Sequence, residues 1–274
     1  MDKKIVDIGK LKGKVLLFGG AYSNLQALQA LMNEARKNGI MPEQCISTGD
    51  LIGYCSQPEE CIKLFRDWGA RSIAGNVELQ LKNDAEDCGC DFQSGSTCDN
   101  LSKIWYPYAR SRLSTSSLDF IATLPNNITF QYAGRKVTVL HGSFNKVSEF
   151  IFKSTPWAIK QSEFELTQSD MIVAGHSGLP FVQQKADQLW LNSGVIGMPA
   201  NDGKPWVWYV ILNEEKEFEF AYHNLSYDHI TASTLMLQHH LPKTYAETLI
   251  TGYWDNMDIL PDEEKALRGH EMTF

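Results

Sequence analysis

The stretch that decides the fold is Gly13-Lys14-Val15-Leu16-Leu17-Phe18-Gly19-Gly20-Ala21-Tyr22-Ser23-Asn24. A short, wholly apolar run bounded by glycines is the pattern of a strand buried on both faces. Residues 24–38 then place Leu25, Leu28, Leu31, Met32 and Ala35 at helical spacing, and Gly39 closes that helix. A second short strand ends at Ser47-Thr48-Gly49-Asp50. Pro58-Glu59-Glu60 opens a second helix, with proline in the first turn and acids at the positive end of the dipole. That helix ends near Gly69, and Arg71 to Ala74 forms a third strand that stops at Gly75-Asn76. Strand, helix, strand, helix, strand predicts an α/β protein with a parallel sheet. The polar residues gather just after each strand, at the edge where open α/β sheets bind ligands.

Beyond this start the pattern changes. Asn83-Asp84-Ala85-Glu86-Asp87-Cys88-Gly89-Cys90-Asp91 is acidic and without period, and reads as an ordered loop or small cap. Residues 101–123 look helical, with Trp105, Tyr106 and Tyr108 supplying aromatic surface for a cap or an interface. A β-rich half follows, with strands at Ile128 to Tyr132 and Arg135 to His141. A helix around 157–166 leads to the strand Met171 to Ala174, and further strands lie near 188–191, 206–212 and 217–222. Helices at about 228–238 and 242–251 come next, and a polar tail wraps the surface. No internal repeat is present. The expected organisation is one domain over 1–274, with an inserted Cys-containing loop and helical cap at about 82–123.

Composition narrows the function. With 43% hydrophobic and 21% charged residues in 274, the chain can build a core, and extensive disorder is excluded. No apolar run approaches the roughly 18 residues of a membrane span. Met1-Asp2-Lys3-Lys4 leads into no signal-like apolar stretch, so a cytoplasmic location is expected. Net charge is −8 with no Lys/Arg cluster, which argues against duplex nucleic acid as a partner. A small anionic substrate stays open, because a metal can supply local positive charge. The six cysteines, at 45, 55, 61, 88, 90 and 98, sit in a long chain without an export signal, which argues against disulfides. Cys45 and Cys61 lie in apolar strand-like and helix-like segments and read as inert core thiols.

Five turns carry the chemistry: Gly19-Gly20-Ala21-Tyr22-Ser23-Asn24, Gly49-Asp50, Gly75-Asn76-Val77-Glu78, His141-Gly142 and Gly175-His176-Ser177-Gly178. Each alone is an ordinary turn. Together they put Asp, Asn, His and His at the ends of successive strands, a mixed oxygen and nitrogen donor set suited to Mn, Fe or Zn.

This order of motifs resembles the calcineurin-like metallophosphoesterases over roughly residues 13 to 225. Asp50-Leu51-Ile52-Gly53-Tyr54 and Asn192-Ser193-Gly194-Val195-Ile196-Gly197-Met198-Pro199 are similar to the bacterial phosphodiesterase branch. The resemblance implies a four-layer α/β/β/α sandwich and a two-metal site. It assigns Asp50, Asn76, His141 and His176 to the second metal, with Asp50 as the bridging carboxylate. The positions exclusive to the first metal hold Gly20, Tyr22 and Gly178, and Val77 replaces the histidine that assists the leaving group. Random loss of three ligands would seldom remove that complete set. The pattern predicts a site that keeps one metal per chain, or one that rebuilds the second with other ligands.

Several residues are candidates for the missing parts. Tyr22 stands in a ligand position, either as a phenolate for a hard metal or as an aromatic plug. Glu78 is a candidate proton donor or acceptor, or the partner of a local cation. Asn24, Tyr54 and Cys55 beside the turns are candidate substrate contacts, with Cys55 either a further ligand or a wall thiol. Cys88, Cys90 and Cys98 could form a second, thiolate metal site or remain free. The adjacent His239-His240 reads as surface. The expected reaction is attack on phosphorus by a metal-activated hydroxide. Loss of the leaving-group histidine then favours phosphodiester or phosphoanhydride bonds with acidic leaving groups. Two alternatives are a catalytically silent homologue that binds a nucleotide or protein partner, and a cysteine-based metal or redox sensor.

Overall fold

Strand β1 (Ile5–Lys10) opens a computed structural model that describes residues 4–215 and 217–274. Met1, Asp2 and Lys3 of the N-terminal stretch lie outside it. Then come β2 (Val15–Phe18), α1 (Leu25–Lys37), β3 (Cys45–Ser47), α2 (Pro58–Trp68), β4 (Arg71–Ser72) and α3 (Asn76–Lys82). Helices α4 (Thr97–Arg112) and α5 (Thr115–Thr123) precede β5 (Asn127–Tyr132), β6 (Arg135–Val139), α6 (Trp157–Thr167) and β7 (Met171–Ala174). Strands β8 (Pro180–Lys185), β9 (Gln188–Ser193), β10 (Val207–Asn213) and β11 (Glu219–Leu225) follow. Helices α7 (His229–Gln238), α8 (Lys243–Thr251) and α9 (Asp262–Ala266) end the series.

The strands form two sheets, ordered β1-β5-β6-β7-β9-β8 and β11-β10-β2-β3-β4. Strands β2, β3 and β4 run parallel in one, and β6, β7 and β9 run parallel in the other. Period-two alternation sets the layers. Val15 and Leu17 of β2 meet Val137, Val139, Met171 and Val173 of the opposite sheet in the central core. Leu16 and Phe18 turn outward, onto Leu28 and Leu31 of α1 and Ile62 and Phe65 of α2. On the other outer face Ile172 and Ala174 pack with Phe164 of α6. The result is the expected α/β/β/α order, with the carboxyl ends of β2, β3, β4, β6 and β7 gathered at one rim.

The structure adds elements the sequence hid. β1 is half exposed, and Asp7, Gly9 and Lys10 interrupt its apolar alternation. β8 forms a hairpin with β9 through Pro180↔Ser193 to Lys185↔Gln188, but Gln183, Gln184 and Lys185 give it no apolar period. α3 begins where a turn was read, because Glu78 accepts the Gly75 N–H at 2.8 Å and starts a helix there. The helix expected over 101–123 is two helices. Ser114 caps the second by accepting the Ser117 N–H, and Leu113 is extended. Trp105 and Tyr106 are buried rather than surface residues, and His239 and His240 are exposed as expected. The tail is docked: Leu260 is buried, and the Phe274 ring stacks 3.7 Å from that of Tyr222.

Candidate metal centre

Two ligand turns are held by one buried carboxylate. Glu78 accepts the N–H of Asp50 at 2.8 Å, of Ile52 at 3.1 Å and of Gly75 at 2.8 Å. Burial and the nearby Asp50 push it up to about 7, against the pull of these three donors. Its oxygens face backbone amides, so Glu78 is a brace rather than the proton donor, proton acceptor or cation partner considered from the sequence. The brace holds Asp50 at φ 55, and His176 sits at φ 58. Left-handed backbone at non-glycine residues marks strain that the surroundings must hold. A side chain at Gly75 would collide with the Asp50 carboxylate, so that glycine is what lets the carboxylate approach α3.

Four donor atoms converge from four turns. His141 Nε2 lies 3.2 Å from Asp50 Oδ2, 3.0 Å from Asn76 Oδ1 and 3.1 Å from His176 Nδ1. All four residues are buried. His141 Nδ1 donates to the Thr48 carbonyl at 2.6 Å, which leaves the neutral ring's Nε2 lone pair facing the cluster. Asn76 gives its Nδ2 hydrogens to Cys88 O at 2.8 Å and Cys90 Sγ at 3.2 Å, so its oxygen faces the cluster as well. Lone pairs aimed at one another repel unless a cation lies between them. Ligands about 2.1 Å from an ion at right angles sit about 3.0 Å apart, so the observed spacings suit a divalent ion. Burial and His141 pull His176 down to about 3, keeping it neutral. Burial lowers His141, but the Asp50 carboxylate and Thr48 carbonyl raise it further, so a proton competes for this position. Among the described residues, Asp50, His141 and His176 are the one group of three His, Cys, Asp or Glu side chains with ligand atoms all within 4.8 Å.

The other half of the expected site is filled. The Tyr22 ring occupies the space a side chain at Gly20 would need, and is flanked by Gly53 and Gly197. Burial and Asp50 hold the Tyr22 phenol far above its ordinary value, and the tight fit of its ring among Gly20, Gly53 and Gly197 favours the plug over a phenolate ligand. A side chain at Gly178 would meet the Trp254 indole at 3.3 Å, and that indole donates to Pro199 O at 2.8 Å. Of the three first-metal positions, Tyr22 thus fills its own and stands over Gly20, and Trp254 stands over Gly178. Together with Asp50 and His176 they line one pocket. Tyr54 lines it too, its ring 4.8 Å from those of Tyr22, Trp105 and Tyr245.

The remaining candidates separate. Asn24 is the cap of α1, accepting the Ala27 N–H at 3.1 Å and donating to Gly197 O at 3.2 Å, so it is a scaffold residue and not a substrate contact. Cys55 is buried with its Sγ 3.8 Å from Gly197 O, a core thiol outside the pocket. The structure does not gather the three loop thiols as one ligand set. Cys88 and Cys90 Sγ are 2.7 Å apart, but Cys98 turns to Asn256 Oδ1 at 3.3 Å. All six cysteines are free, and Cys45 and Cys61 are buried as expected. Sequence reasoning missed Thr48, whose carbonyl fixes His141, and Phe150, whose ring stacks 4.2 Å from that of His176. It also missed Asn192, which donates to Gly175 O and Ser177 Oγ at 2.9 Å and braces the His176 turn. Thr48 and Asn192 fall within stretches singled out from the sequence, but no local pattern marks the roles of these residues, because each acts through a partner distant in sequence.

Two mixed sheets that bring O and N donors to one rim define a metal-dependent phosphoesterase type of protein. The family model for the calcineurin-like phosphoesterase superfamily domain matches residues 14–217, well over half of the chain, and the chain belongs to that superfamily. It is 26% identical over 259 residues to an uncharacterized protein of Methanocaldococcus jannaschii, covering 88% of this chain and 99% of that one. It is similar in structure to a metallophosphoesterase from Sphaerobacter thermophilus, with TM-score 0.69, 20% identity, and coverage of 88% of this chain and 100% of the other. A hypothetical protein from Pyrococcus horikoshii OT3 gives TM-score 0.73 at 17% identity, covering 88% of this chain and 99% of that one. Both structural likenesses bear on the fold. The family membership supports a general phosphoesterase-type hydrolase with divalent metal use. No helix of the described residues is long and apolar enough to cross a membrane.

Proposed function

We propose that this chain hydrolyses phosphodiester or phosphoanhydride bonds of a small substrate at a mononuclear centre held by Asp50, Asn76, His141 and His176. The observation that carries the reading is the convergence of four acceptor atoms on one point, beside a first-metal half filled by Tyr22 and Trp254. Mn, Fe or Zn all suit this donor set. Such an ion supplies Lewis-acid polarisation of a phosphoryl oxygen and makes a water nucleophilic near neutral pH. The chain's own part is positional. Thr48 fixes the tautomer of His141, and Cys88 with Cys90 fixes the amide of Asn76. Phe150 covers one face of His176 and keeps water from it.

Val77 offers no proton to a leaving group, and Glu78 is committed to backbone amides. An acidic leaving group needs no such proton, so activated diesters and anhydrides suit the site better than alkyl monoesters. From the expected cap at 82–123, Cys90, Phe92 and Cys98 line the pocket beside this centre. A cytoplasmic setting, where six buried thiols stay reduced, fits the same reading.

The test is turnover of bis(4-nitrophenyl) phosphate against glycerol phosphate by the metal-loaded protein. The aryl diester should be cleaved faster by about a hundredfold or more, the size of a missing general acid. His141→Ala should abolish that turnover. Faster cleavage of the alkyl monoester, or turnover that survives His141→Ala, would overturn the proposal. Absence of any turnover would favour the silent homologue that binds a nucleotide or partner.

A further inference from the structure

We infer that the pocket beside the metal centre selects a phosphodiester monoanion carrying a planar aromatic group, and disfavours phosphomonoesters and polyphosphates. The inference rests on the mononuclear reading and narrows its substrate class. Charge is the first argument. Among the described residues no Lys or Arg lines the pocket, and the charged side chains there besides His are Asp50 and Asp255. One divalent ion against the buried Asp50 carboxylate leaves a single positive charge at the reacting phosphorus, and Asp255, exposed to water at the rim, adds no positive charge to it. A diester monoanion neutralises it. A monoester dianion or a polyphosphate would bring uncompensated charge into a low-dielectric pocket, which is costly.

Basic residues of the adjoining segments are already engaged: Lys146 pairs with Asp91 at 2.9 Å, where Ser148 also donates at 2.8 Å, and Lys265 pairs with Asp262 at 3.1 Å.

Shape is the second argument. The walls away from the ion are aromatic: Tyr54, Phe92, Phe150, Tyr245 and Trp254. Tyr54 and Tyr245 meet edge to face with ring centroids 4.8 Å apart, so that wall is locked rather than adaptable. Trp254 is anchored by its indole N–H on Pro199 and by its backbone N–H on Asn201 Oδ1 at 2.9 Å. A fixed indole therefore lines the pocket together with Asp50 and His176, its Cη2 and Cζ2 3.3 Å from where a side chain at Gly178 would begin. An aryl or nucleobase group on the phosphorus would stack there. A two-metal site would carry more positive charge and lack this surface, so the loss of the first metal and the change in ligand class are one alteration.

Binding tests this apart from turnover. Diphenyl phosphate and phenyl phosphate would be titrated calorimetrically into Mn-loaded protein at slightly alkaline pH, where the second is a dianion. Diphenyl phosphate should bind tighter by about tenfold or more, and Trp254→Ala should weaken it by about tenfold, the scale of one aromatic contact. Trp254→Phe, which keeps a ring, should retain most of that binding and the metal content of the parent protein. Equal or tighter binding of phenyl phosphate, or diphenyl phosphate binding untouched by Trp254→Ala, would overturn the inference. Selective binding without hydrolysis would overturn only the proposed activity. Hydrolysis without selective binding would overturn only this inference.

Discussion

Asn76 carries the clearest division of labour at the residue scale. Its oxygen faces His141, while its nitrogen is spent on Cys88 O and Cys90 Sγ. A free amide would turn either end toward an ion, and only the oxygen end is useful. Cys90 is therefore a positioning residue, buried and kept as a thiol, with its pKa raised by burial and by Cys88. Removing such an outer partner typically costs about tenfold to a hundredfold in metal affinity. Cys90→Ala should weaken Mn²⁺ binding by about tenfold, and Cys90→Ser, which keeps an acceptor, by less. The cobalt-substituted protein should show no thiolate-to-metal absorption band. Such a band, or unchanged affinity in Cys90→Ala, would contradict this role. The gathering of Asp50, His141 and His176 at one rim was legible in sequence because each follows an apolar strand. The roles of Glu78, Asn24 and Cys55 were not, since a buried carboxylate, amide or thiol near a site looks the same in sequence whether it faces substrate or backbone.

At the scale of elements, the site depends on how turns are tied to one another. Glu78 on α3 holds the turn after β3 and the turn after β4 with three hydrogen bonds. Glu78→Ala leaves three buried N–H groups without partners, each worth about 1–3 kcal/mol. Unfolding in urea should show a loss of about 3 kcal/mol or more, together with loss of bound metal. Full stability with only turnover lost would instead make Glu78 a proton-transfer group. Elements whose apolar side chains face two neighbours, such as β2 and β7, announce themselves as continuous apolar runs. The half-exposed β1 and the glutamine-rich β8 do not, because hydrogen bonding to a neighbouring strand, and not a buried face, makes them strands. The two-residue β4 is shorter than the apolar run that marks it, because Ala74 already leaves the ladder to donate to Pro125 O at 2.7 Å.

For the whole molecule, the two sheets bring the ends of strands far apart in sequence to one rim, and the tail closes over it. Trp254 comes from beyond the last strand, so its place over Gly178 could not be read from local pattern. The account stands on one claim, that Asp50, Asn76, His141 and His176 hold a single ion while Tyr22 and Trp254 exclude a second. The most direct test is the number of metal atoms per chain by elemental analysis, in protein purified without added metal and after loading with Mn, Fe or Zn, beside His176→Ala. The account predicts one atom per chain, lost in His176→Ala. Two atoms per chain, or none after loading, would contradict it.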